Sequence, residues 1–248
     1  MIDIESAIIK YLKRNKLNSV QINTALVDMD GVLYDSMKNH TAAWFRLFTE
    51  LGVKCVYEEF YLYEGMTAKA TFNKLFNREF GHGVTDEQVR ELYQRKIDYF
   101  RELPDVGVID GTAQVLNTIK SRGLNMVLVT GSAQGTLLEK IDTDYPNLFK
   151  TNDRVTALDV TNGKPHPEPY IKGMGKVNAT PTECIVIENA PLGVQAGHAA
   201  GCFTCAITTG PIARDEMIKS GADIVFDSME QFAANITPLL DALNKIRI

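Results

Sequence analysis

A short apolar run that ends in two aspartates and a glycine constrains this chain more than any other stretch. Residues 24–36 read TALVDMDGVLYDS, and Ala25–Val27 has the length and composition of a fully buried strand. Alternate residues of an extended backbone point the same way, so Asp28 and Asp30 can share one small volume. Gly31 then permits a sharp turn. Open parallel sheets carry their chemistry beyond the carboxyl ends of the strands, so this pair predicts a candidate active site.

Composition and charge are those of an ordinary globular chain. The 248 residues suit one large domain or two unequal ones, with 45% apolar and 23% charged residues. A net charge of −5 argues against nucleic acid as a partner, because general nucleic-acid binders need a cationic surface. We see no signal peptide and no apolar run of membrane-spanning length, so we expect no membrane partner and a cytoplasmic location. The oligomeric state stays open, with a monomer favoured.

The four cysteines predict no disulfide framework in a chain of this length. Cys202 and Cys205 form a C-x-x-C, a spacing that zinc and redox sites use. They open the apolar run 202–207, which reads as a strand, where positions i and i+3 face opposite sides. No second cysteine pair lies at zinc-finger spacing. Two semi-buried structural cysteines are therefore the favoured interpretation.

Residues 1–20 are interpreted as a helical extension ahead of the first strand. Apolar residues recur on one helical face of 3–16, acidic residues stand in its first turn and basic residues near its end. A membrane-surface helix is the alternative. The segment is short and its apolar face modest, so packing on the parent domain is favoured.

Residues 37–103 read as helical almost throughout, with no good strand candidate. Helices are predicted over 37–51, 67–80 and 85–103, and Thr85 with Gln88 resembles a capping box. Strands recur regularly only afterwards. We therefore predict a small all-helical cap domain, 37–103, inserted directly after the first strand.

Beyond Pro104 the pattern alternates between helix and strand. Strands are predicted over 124–129, 154–157, 184–187, 203–207 and 223–226, and helices over 112–122, 134–142, 192–200, 213–220 and 228–244, with another helix starting within 165–169. Alternating units imply right-handed crossovers. The predicted fold class is α/β, a doubly wound parallel sheet formed by residues 1–36 and 104–248.

Polar residues follow three of these strands. They are Asp28 and Asp30 after the first strand, Thr130, Gly131 and Ser132 after the second, and Glu188 and Asn189 after a later one, while Lys164 stands at a fourth strand-to-helix connection. Each alone has a plain alternative as a turn former, a helix cap or a surface charge. Parallel neighbouring strands would bring all four sets to one edge of the sheet, and that joint arrangement favours function.

The chemistry of these groups suits phosphoryl transfer. A carboxylate such as Asp28 can attack phosphorus and form a transient acyl phosphate. A second acid, Asp30, can protonate the leaving oxygen and then deprotonate water. The Thr130 hydroxyl and the amides after it can hold phosphoryl oxygens, and Lys164 can offset negative charge. Several carboxylates and a phosphate cannot crowd together without a cation, for which Mg²⁺ is the expected cofactor.

Four ordered motifs resemble those of the haloacid dehalogenase superfamily of phosphohydrolases. They read DMDGV, VTGS, GKPHPEPY and IVIENAPLGVQAG, and they span 24–209. The resemblance implies Asp28 as nucleophile, Asp30 as acid/base, and Thr130 and Lys164 on the phosphoryl group. It also implies Mg²⁺ held by Asp28, the Asp30 carbonyl and the pair Glu188–Asn189, with a cap that excludes water. Asp30 argues against dehalogenation, because halide-releasing relatives lack that acid.

Within the superfamily the chain resembles the β-phosphoglucomutase subgroup. His40 and Trp44 match its hinge-region His and Trp, and Lys96 matches its cap lysine. Plain alternatives are a helix-surface His40 and a Trp44 that only fills the cap core. Ala68 stands where the mutase has an arginine that grips the distal phosphate, a contact that Lys69 would not replace.

Glu64 points to a different member of that subgroup. A cap carboxylate directed at the site would repel a sugar phosphate but could join a metal shell over a small, highly charged substrate; the alternative is a surface Glu that ends a helix. Members resembling this chain around Y-x-x-E-G and E-N-A-P-L-G-V include inorganic pyrophosphatases. Asn189, where most relatives have Asp, predicts weaker Mg²⁺ binding.

The sequence therefore predicts a Mg²⁺-dependent phosphohydrolase acting on a small phosphate compound, with pyrophosphate the first candidate. The alternative is a sugar-phosphate mutase of the β-phosphoglucomutase type. A third hypothesis is a catalytically inactive relative that serves as a ligand-binding or scaffold module. The presence of all four core residues argues against it: Asp28, Asp30, Thr130 and Lys164.

Overall fold

A six-stranded, all-parallel sheet forms the centre of the protein in a computed structural model, which describes residues 2–133 and 135–248. The strands are β1 (Thr24–Val27), β2 (Asn125–Val129), β3 (Arg154–Val155), β4 (Cys184–Glu188), β5 (Phe203–Ile207) and β6 (Ile224–Phe226). Their order is β3-β2-β1-β4-β5-β6, so the chain winds outward from β1 in both directions. β1 pairs with β2 on one side and β4 on the other. The predicted doubly wound parallel sheet is confirmed.

Helices cover both faces of this sheet and fill the insert after β1. They are α1 (Ile4–Asn15), α2 (Met37–Glu50), α3 (Glu59–Leu62), α4 (Ala68–Phe80), α5 (Asp86–Arg101), α6 (Thr112–Ser121), α7 (Gly135–Asp144), α8 (Glu168–Lys176), α9 (Pro191–Ala199), α10 (Arg214–Lys219) and α11 (Met229–Lys245). Most bounds differ from the predicted ones by one or two residues, as helix ends usually do. The short α3 was not predicted, and Gln134, the predicted first residue of α7, lies outside the described residues.

Alternating strand residues feed two apolar layers, one on each face of the sheet. In β1, Ala25 and Val27 join the layer beneath α1, α6 and α11, whereas Leu26 joins the layer beneath α8 and α9. Cys202 and Cys205 divide between the layers in the same way, so they face opposite sides as predicted. Both cysteines are fully buried rather than semi-buried, because helices cover both faces of the sheet at β5.

The apolar face of α1 is buried in the protein. The hydroxyl of Tyr11 donates to the carbonyl of Gly201 at 2.9 Å, and the Tyr11 ring meets Phe203 edge-on. Further along the helix, the guanidinium of Arg14 pairs with Asp223 at 2.8 Å. This packing leaves no apolar stripe on α1 for a bilayer. Throughout residues 2–133 and 135–248, no helix combines the length and apolar character that crossing a membrane requires.

The four helices between β1 and α6 build an apolar cluster of their own. Aromatic rings dominate it: Trp44 stacks on Phe48 and meets Phe72 edge-on. Thr85 begins α5 with the predicted capping box, in which its hydroxyl and the Gln88 side chain each accept a backbone N–H. The insert is therefore an all-helical cap with its own packing, and it covers the carboxyl end of β1.

Candidate active site

The functional groups meet because three adjacent strands end at one edge of the sheet. Asp28 continues the ladder of β1 by donating its N–H to Ile187 at 3.0 Å, and Thr130 continues that of β2 by donating to Val155 at 2.9 Å. Glu188 is the last residue of β4, the strand that lies between β1 and β5. All three side chains are buried, so their charges and hydroxyls act in a low-dielectric setting.

A glycine turn after the aspartates makes room for the neighbouring strand end. Gly31 donates its N–H to the carbonyl of Tyr34 at 2.8 Å and has a φ of +78°. A Cβ at this position would lie 1.9 Å from Nδ2 of Asn189. Only glycine satisfies both the left-handed backbone and this close approach.

Lys164 links Asp28 to the end of β4. Its buried ammonium donates to Oδ1 of Asp28, to Oε1 of Glu188 at 2.6 Å and to the carbonyl of Val129 at 3.1 Å. Burial alone would lower the pKa of Lys164, but the two carboxylates outweigh it and raise that pKa. Lys164 is therefore held as a cation beside Asp28.

Glu188 has every lone-pair direction engaged. Oε1 accepts from Lys164 and from the hydroxyl of Tyr170 at 2.7 Å. Oε2 accepts the backbone N–H groups of Asn189 at 2.9 Å and Ala190 at 3.2 Å. In this geometry Glu188 anchors Lys164. Tyr170 was not singled out from the sequence, since a tyrosine in the first turns of α8 reads as core.

Asp30 is surrounded by hydrogen-bond donors. Its Oδ1 accepts from Oγ of Ser36 at 2.6 Å and lies 2.9 Å from Nε2 of His40, and its Oδ2 accepts from Oγ1 of Thr130 at 3.4 Å. Burial raises the pKa of Asp30, but His40, Ser36 and Lys96 together bring that pKa below its ordinary value. Asp30 is thus held as a carboxylate, the form that accepts a proton.

The cap reaches Asp30 through a histidine and a lysine. Nζ of Lys96 lies 2.6 Å from Nδ1 of His40, whose ring packs on Phe100. An ammonium can only donate, so Nδ1 accepts and Nε2–H donates to Asp30. Burial lowers the pKa of Lys96 to about 7, although the charge of Asp30 opposes the shift. His40 is therefore not a helix-surface residue.

The loop after β2 touches the cap directly. The hydroxyl of Thr130 accepts the N–H of Ser132 at 3.0 Å, which orders the loop. A Cβ on Gly131 would lie 2.8 Å from both Cα and O of Gly65 in the cap. On the far side of the loop, the hydroxyl of Tyr93 accepts the N–H of Ala133 at 3.5 Å. Tyr93 lines the site, and no sequence pattern separates it from a tyrosine that only fills the cap core.

Glu64 of the cap lies against Asn189 of the core. Nδ2 of Asn189 donates to Oε2 of Glu64 at 3.2 Å, while Oε1 of Glu64 and Oδ1 of Asn189 are buried without a hydrogen-bond partner. Burial and then the charges of Asp28, Glu188 and Asp30 raise the pKa of Glu64 well above its ordinary value. Glu64 thus reaches the site instead of ending a helix at the surface.

These oxygens suit a hard divalent cation. Two orphaned buried oxygens beside a group of mutually repelling carboxylates are costly without a positive charge, and Mg²⁺ prefers such ligands. Burial, and then the charges of Glu188 and Asp30, raise the pKa of Asp28 well above its ordinary value, although Lys164 opposes the shift. Within residues 2–133 and 135–248 no group of three His, Cys, Asp or Glu is arranged to hold a metal ion, and the Lys164 ammonium contacts both Asp28 and Glu188.

A cavity of about 60 Å³ lies over Asp28 between core and cap. Core side chains give it Asp28, Asp30 and Ser132, and the cap closes it with Lys96 and mainly apolar groups. The described cap residues on its wall are Met37, His40, Trp44, Phe60, Tyr63, Glu64, Gly65, Met66, Ala68, Thr71, Tyr93 and Lys96. The space over Asp28 is therefore small and mostly bounded by the cap.

Comparison with known proteins identifies the class to which this fold and site belong. The family described as haloacid dehalogenase-like hydrolase matches residues 25–207, and the chain belongs to that family. The match covers the sheet from β1 to β5, together with the cap. It makes the protein an enzyme with phosphatase or sugar-phosphate mutase-like activity.

Individual relatives span nearly the whole chain. Validoxylamine A 7'-phosphate phosphatase of Streptomyces hygroscopicus subsp. limoneus is 30% identical over 84% of this chain and 94% of its own length. Hexitol phosphatase A of Escherichia coli (strain K12) is 26% identical over 88% and 96%. Among solved structures, a candidate β-phosphoglucomutase from Bacteroides vulgatus superposes with a TM-score of 0.94 at 41% identity, covering 98% of both chains.

Proposed function

We propose that the protein is a Mg²⁺-dependent phosphohydrolase that works through a phosphorylated Asp28 and takes inorganic pyrophosphate as its first-choice substrate. The observation that carries this proposal is the cap carboxylate Glu64, which contacts Asn189 beside a cavity of only about 60 Å³. A small, highly charged substrate accounts for both features at once.

The proposed reaction has two halves. Asp28 attacks one phosphorus, its carboxylate oxygen forms the new P–O bond, and the bond to the leaving phosphate breaks while Asp30 gives that oxygen a proton. Asp30 then takes a proton from water as the water attacks phosphorus and frees Asp28. Its contacts with Ser36 and His40 favour the carboxylate needed in the second half, and the proton taken from water there is the one that Asp30 gives to the leaving oxygen in the next turnover.

Fixed positive and dipolar groups surround the transferring phosphoryl group. Lys164 beside Asp28 would offset charge between nucleophile and phosphate, and the N–H of Gly131 and the hydroxyl of Ser132 would bind phosphoryl oxygens. On the cap side, Lys96 supplies a cation for the leaving phosphate. Glu188 and the carbonyl of Val129 hold Lys164 beside Asp28 before substrate binds, and such preorganised charge lowers barriers.

The residues proposed to hold Mg²⁺ are Asp28, the Asp30 carbonyl, Glu188 and Asn189, with Glu64 added from the cap. When bound, the ion would neutralise the carboxylates and polarise the phosphoryl oxygens. Support comes from the two unpartnered oxygens on Glu64 and Asn189. Because Glu188 already accepts four hydrogen bonds, we expect it to contribute mainly through Lys164.

Cap chemistry favours pyrophosphate over a sugar bisphosphate. Ala68 lines the cavity at the position where the mutase-type cap has a phosphate-gripping arginine, so no guanidinium extends from there. The carboxylate of Glu64 would also repel a second phosphate on a sugar. Aromatic walls from Trp44 and Tyr93 leave little room for a hexose.

A sugar-phosphate mutase is the second candidate. It is supported by the chain of contacts from Asp30 through His40 to Lys96, which ties the acid/base to the cap. It is also supported by the Bacteroides vulgatus structure, whose description is that of a β-phosphoglucomutase. The two candidates differ in whether water or a second sugar hydroxyl takes the phosphoryl group from Asp28.

One experiment separates these candidates. Phosphate release from pyrophosphate, from p-nitrophenyl phosphate and from hexose phosphates is compared with conversion of β-glucose 1-phosphate to glucose 6-phosphate, in the parent and in Glu64→Ala. We expect Glu64→Ala to lower kcat/KM for pyrophosphate by about 10²-fold or more and to affect the bulky ester far less. The matched control is Glu91→Ala, an exposed carboxylate on α5. Equal losses for both substrates, or faster mutase than phosphatase turnover in the parent, would overturn the proposal.

A further inference from the structure

A second and larger cavity, of about 530 Å³, lies on the other side of Glu64. Its walls come from the turn after β1, from the cap around α3 and from the loop after β5. The described lining residues are Gly31, Asp35, Met37, Lys38, Tyr57, Glu58, Tyr61, Glu64, Asn189, Thr209, Gly210, Pro211 and Ile212. Among the described residues, it shares only Met37 and Glu64 with the small cavity over Asp28. We call this larger cavity the vestibule.

The walls of the vestibule favour cations. Asp35, Glu58 and Glu64 contribute carboxylates, and the ammonium of Lys38 is paired with Asp35 at 2.9 Å. Phenol rings of Tyr57 and Tyr61 complete the cap side. The charge of these walls is therefore net negative, which attracts a divalent cation and repels phosphate.

The inner end of the vestibule carries the unpartnered oxygens. Glu64 and Asn189 both line it, and Oε1 of Glu64 and Oδ1 of Asn189 are buried without hydrogen-bond partners. Asn189 as a whole is 5% exposed. Two buried oxygens without hydrogen-bond partners at the end of an acidic cavity would be stabilised by a bound cation.

The small cavity over Asp28 contains groups that can bind an anion and that the vestibule lacks. Lys96 and the loop Gly131–Ser132 line the small cavity but not the vestibule. Glu64 and Met37 stand between the two spaces. Carboxylates line both spaces, but Lys96 and the loop Gly131–Ser132 belong to the small cavity alone.

We propose that the vestibule is the loading route for the divalent cation, through which a hydrated ion reaches Glu64 and Asn189 while the cap stays closed over the substrate side. This inference rests on the proposed function, because it assumes that those oxygens hold the ion. Glu64 and Asn189 would each replace a coordinated water at the inner end, the ion would keep other waters, and no bond of the substrate would be involved.

A side chain added at Gly210 tests the route without touching the site. A Cβ there would meet only Cδ1 of Tyr61, at 3.9 Å, so Gly210→Leu fits the backbone and extends into the vestibule. The matched control is Gly175→Leu, an exposed glycine near the end of α8 whose Cβ would meet nothing within 4 Å. Mn²⁺ serves as the probe, and its association and dissociation rates follow from stopped-flow mixing and the loss of the free-ion EPR signal.

The expected result for Gly210→Leu is that both Mn²⁺ rate constants fall together by about tenfold or more while Kd stays unchanged. The KM for pyrophosphate should not change. Glu58→Gln, a second variant without added bulk, should lower the association rate and weaken its dependence on salt. Gly175→Leu should match the parent.

Three outcomes would count against the inference. Unchanged Mn²⁺ rates in Gly210→Leu and in Glu58→Gln overturn the route alone. A changed Kd with unchanged association rate also overturns it, because the loop would then be acting on the site itself. A parent that binds no Mn²⁺, or binds it as well after Asp28→Asn, overturns the proposed metal centre together with the route.

Discussion

Nζ of Lys96 lies 2.6 Å from Nδ1 of His40, and Nε2 of the same ring lies 2.9 Å from Oδ1 of Asp30. A cation of α5 is thereby coupled through one imidazole to Asp30, the proposed acid/base of the core. Lys96 is 1% exposed, so its charge lies almost entirely out of water. The protein bears that cost at a position where the cap faces the substrate, which is where a buried cation has a use.

Lys96→Met should therefore make the protein more stable and less active. Burial lowers the pKa of Lys96 to about 7 from an ordinary 10.5. Burying the charged side chain therefore lowers the free energy of unfolding at neutral pH by about 3–5 kcal/mol. Losing the donor to His40 offsets about 1 kcal/mol of the gain. Lys96 of the unfolded chain keeps its proton up to about pH 10. The stability that Lys96→Met gains over the parent is therefore greatest at pH 7 and below, and it shrinks as pH rises from 7 to 10.5.

Urea unfolding at pH 6.5, 8 and 9.5 checks this prediction. Lys96→Arg keeps a cation and serves as the control, which should gain no stability. A Lys96→Met variant that is equally or less stable than the parent at pH 6.5 would contradict the assignment of Lys96 as a costly buried charge.

Asp30→Ala should separate the two halves of the reaction. Asp28 and Lys164 remain, so a substrate with a good leaving group, such as p-nitrophenyl phosphate, should still phosphorylate Asp28. Without a base for water, release of the phosphoryl group should slow by about 10²–10⁴-fold. Stopped-flow absorbance should then show a burst of p-nitrophenol equal to the enzyme concentration. Asp28→Asn should abolish both burst and turnover, and a burst in that variant would remove Asp28 as the nucleophile.

Gly131→Ala should disturb closure of the cap without unfolding the protein. The added Cβ would lie 2.8 Å from backbone atoms of Gly65, and backbone cannot move aside as a flexible side chain can. The loop after β2 and the cap must therefore separate, which misaligns groups held on both sides of the substrate. We expect kcat/KM to fall by about 10²-fold. Gly135→Ala, with open space around its Cβ, is the control and should retain parental activity and stability.

The arrangement of the core site followed from the sequence because it depends on strand ends. Asp28 and Thr130 each follow an apolar run, and parallel pairing of β1 with β2 brings them together regardless of the loops. The same reasoning anticipated opposite faces for Cys202 and Cys205. Local periodicity and the geometry of parallel sheets were sufficient for these features.

Residues whose roles depend on distant contacts could not be predicted in this way. Ser36 is the N-cap residue of α2, a position where a serine hydroxyl usually accepts a backbone N–H. Here the hydroxyl makes no such bond and donates to Asp30 instead. Tyr170 reaches Glu188 across a crossover, and Tyr93 reaches Ala133 from the cap. In each case a tertiary contact decides between two roles that look alike in the sequence. The four-residue α3 is too short to show a helical period.

The buried carboxyl of Asp223 gives a prediction for stability far from the site. Burial raises the pKa of Asp223 to about 6, although Arg14 and the N–H of Thr204 partly oppose the shift. The unfolded chain ionises near 3.8, so the native state loses stability as pH rises from about 4 through 6. Asp223→Asn keeps an acceptor for Thr204 and cannot ionise. The unfolding free energy of the parent minus that of Asp223→Asn should therefore fall by about 2–3 kcal/mol between pH 4 and 7.

Guanidinium unfolding at half-unit pH steps measures this difference, and effects of other titrating groups cancel in the subtraction. Arg14→Met removes the cation that lowers the pKa of Asp223, so in that background the same decline should extend above pH 6. The side chain of Asp223 is only 4% exposed, which is why solvent screening should not erase the effect. A free-energy difference that stays constant, or one that grows with pH, would contradict this prediction. It would mean that Arg14 compensates fully for the burial of Asp223, so that the ion pair holds α1 on the core at neutral pH without loss of stability.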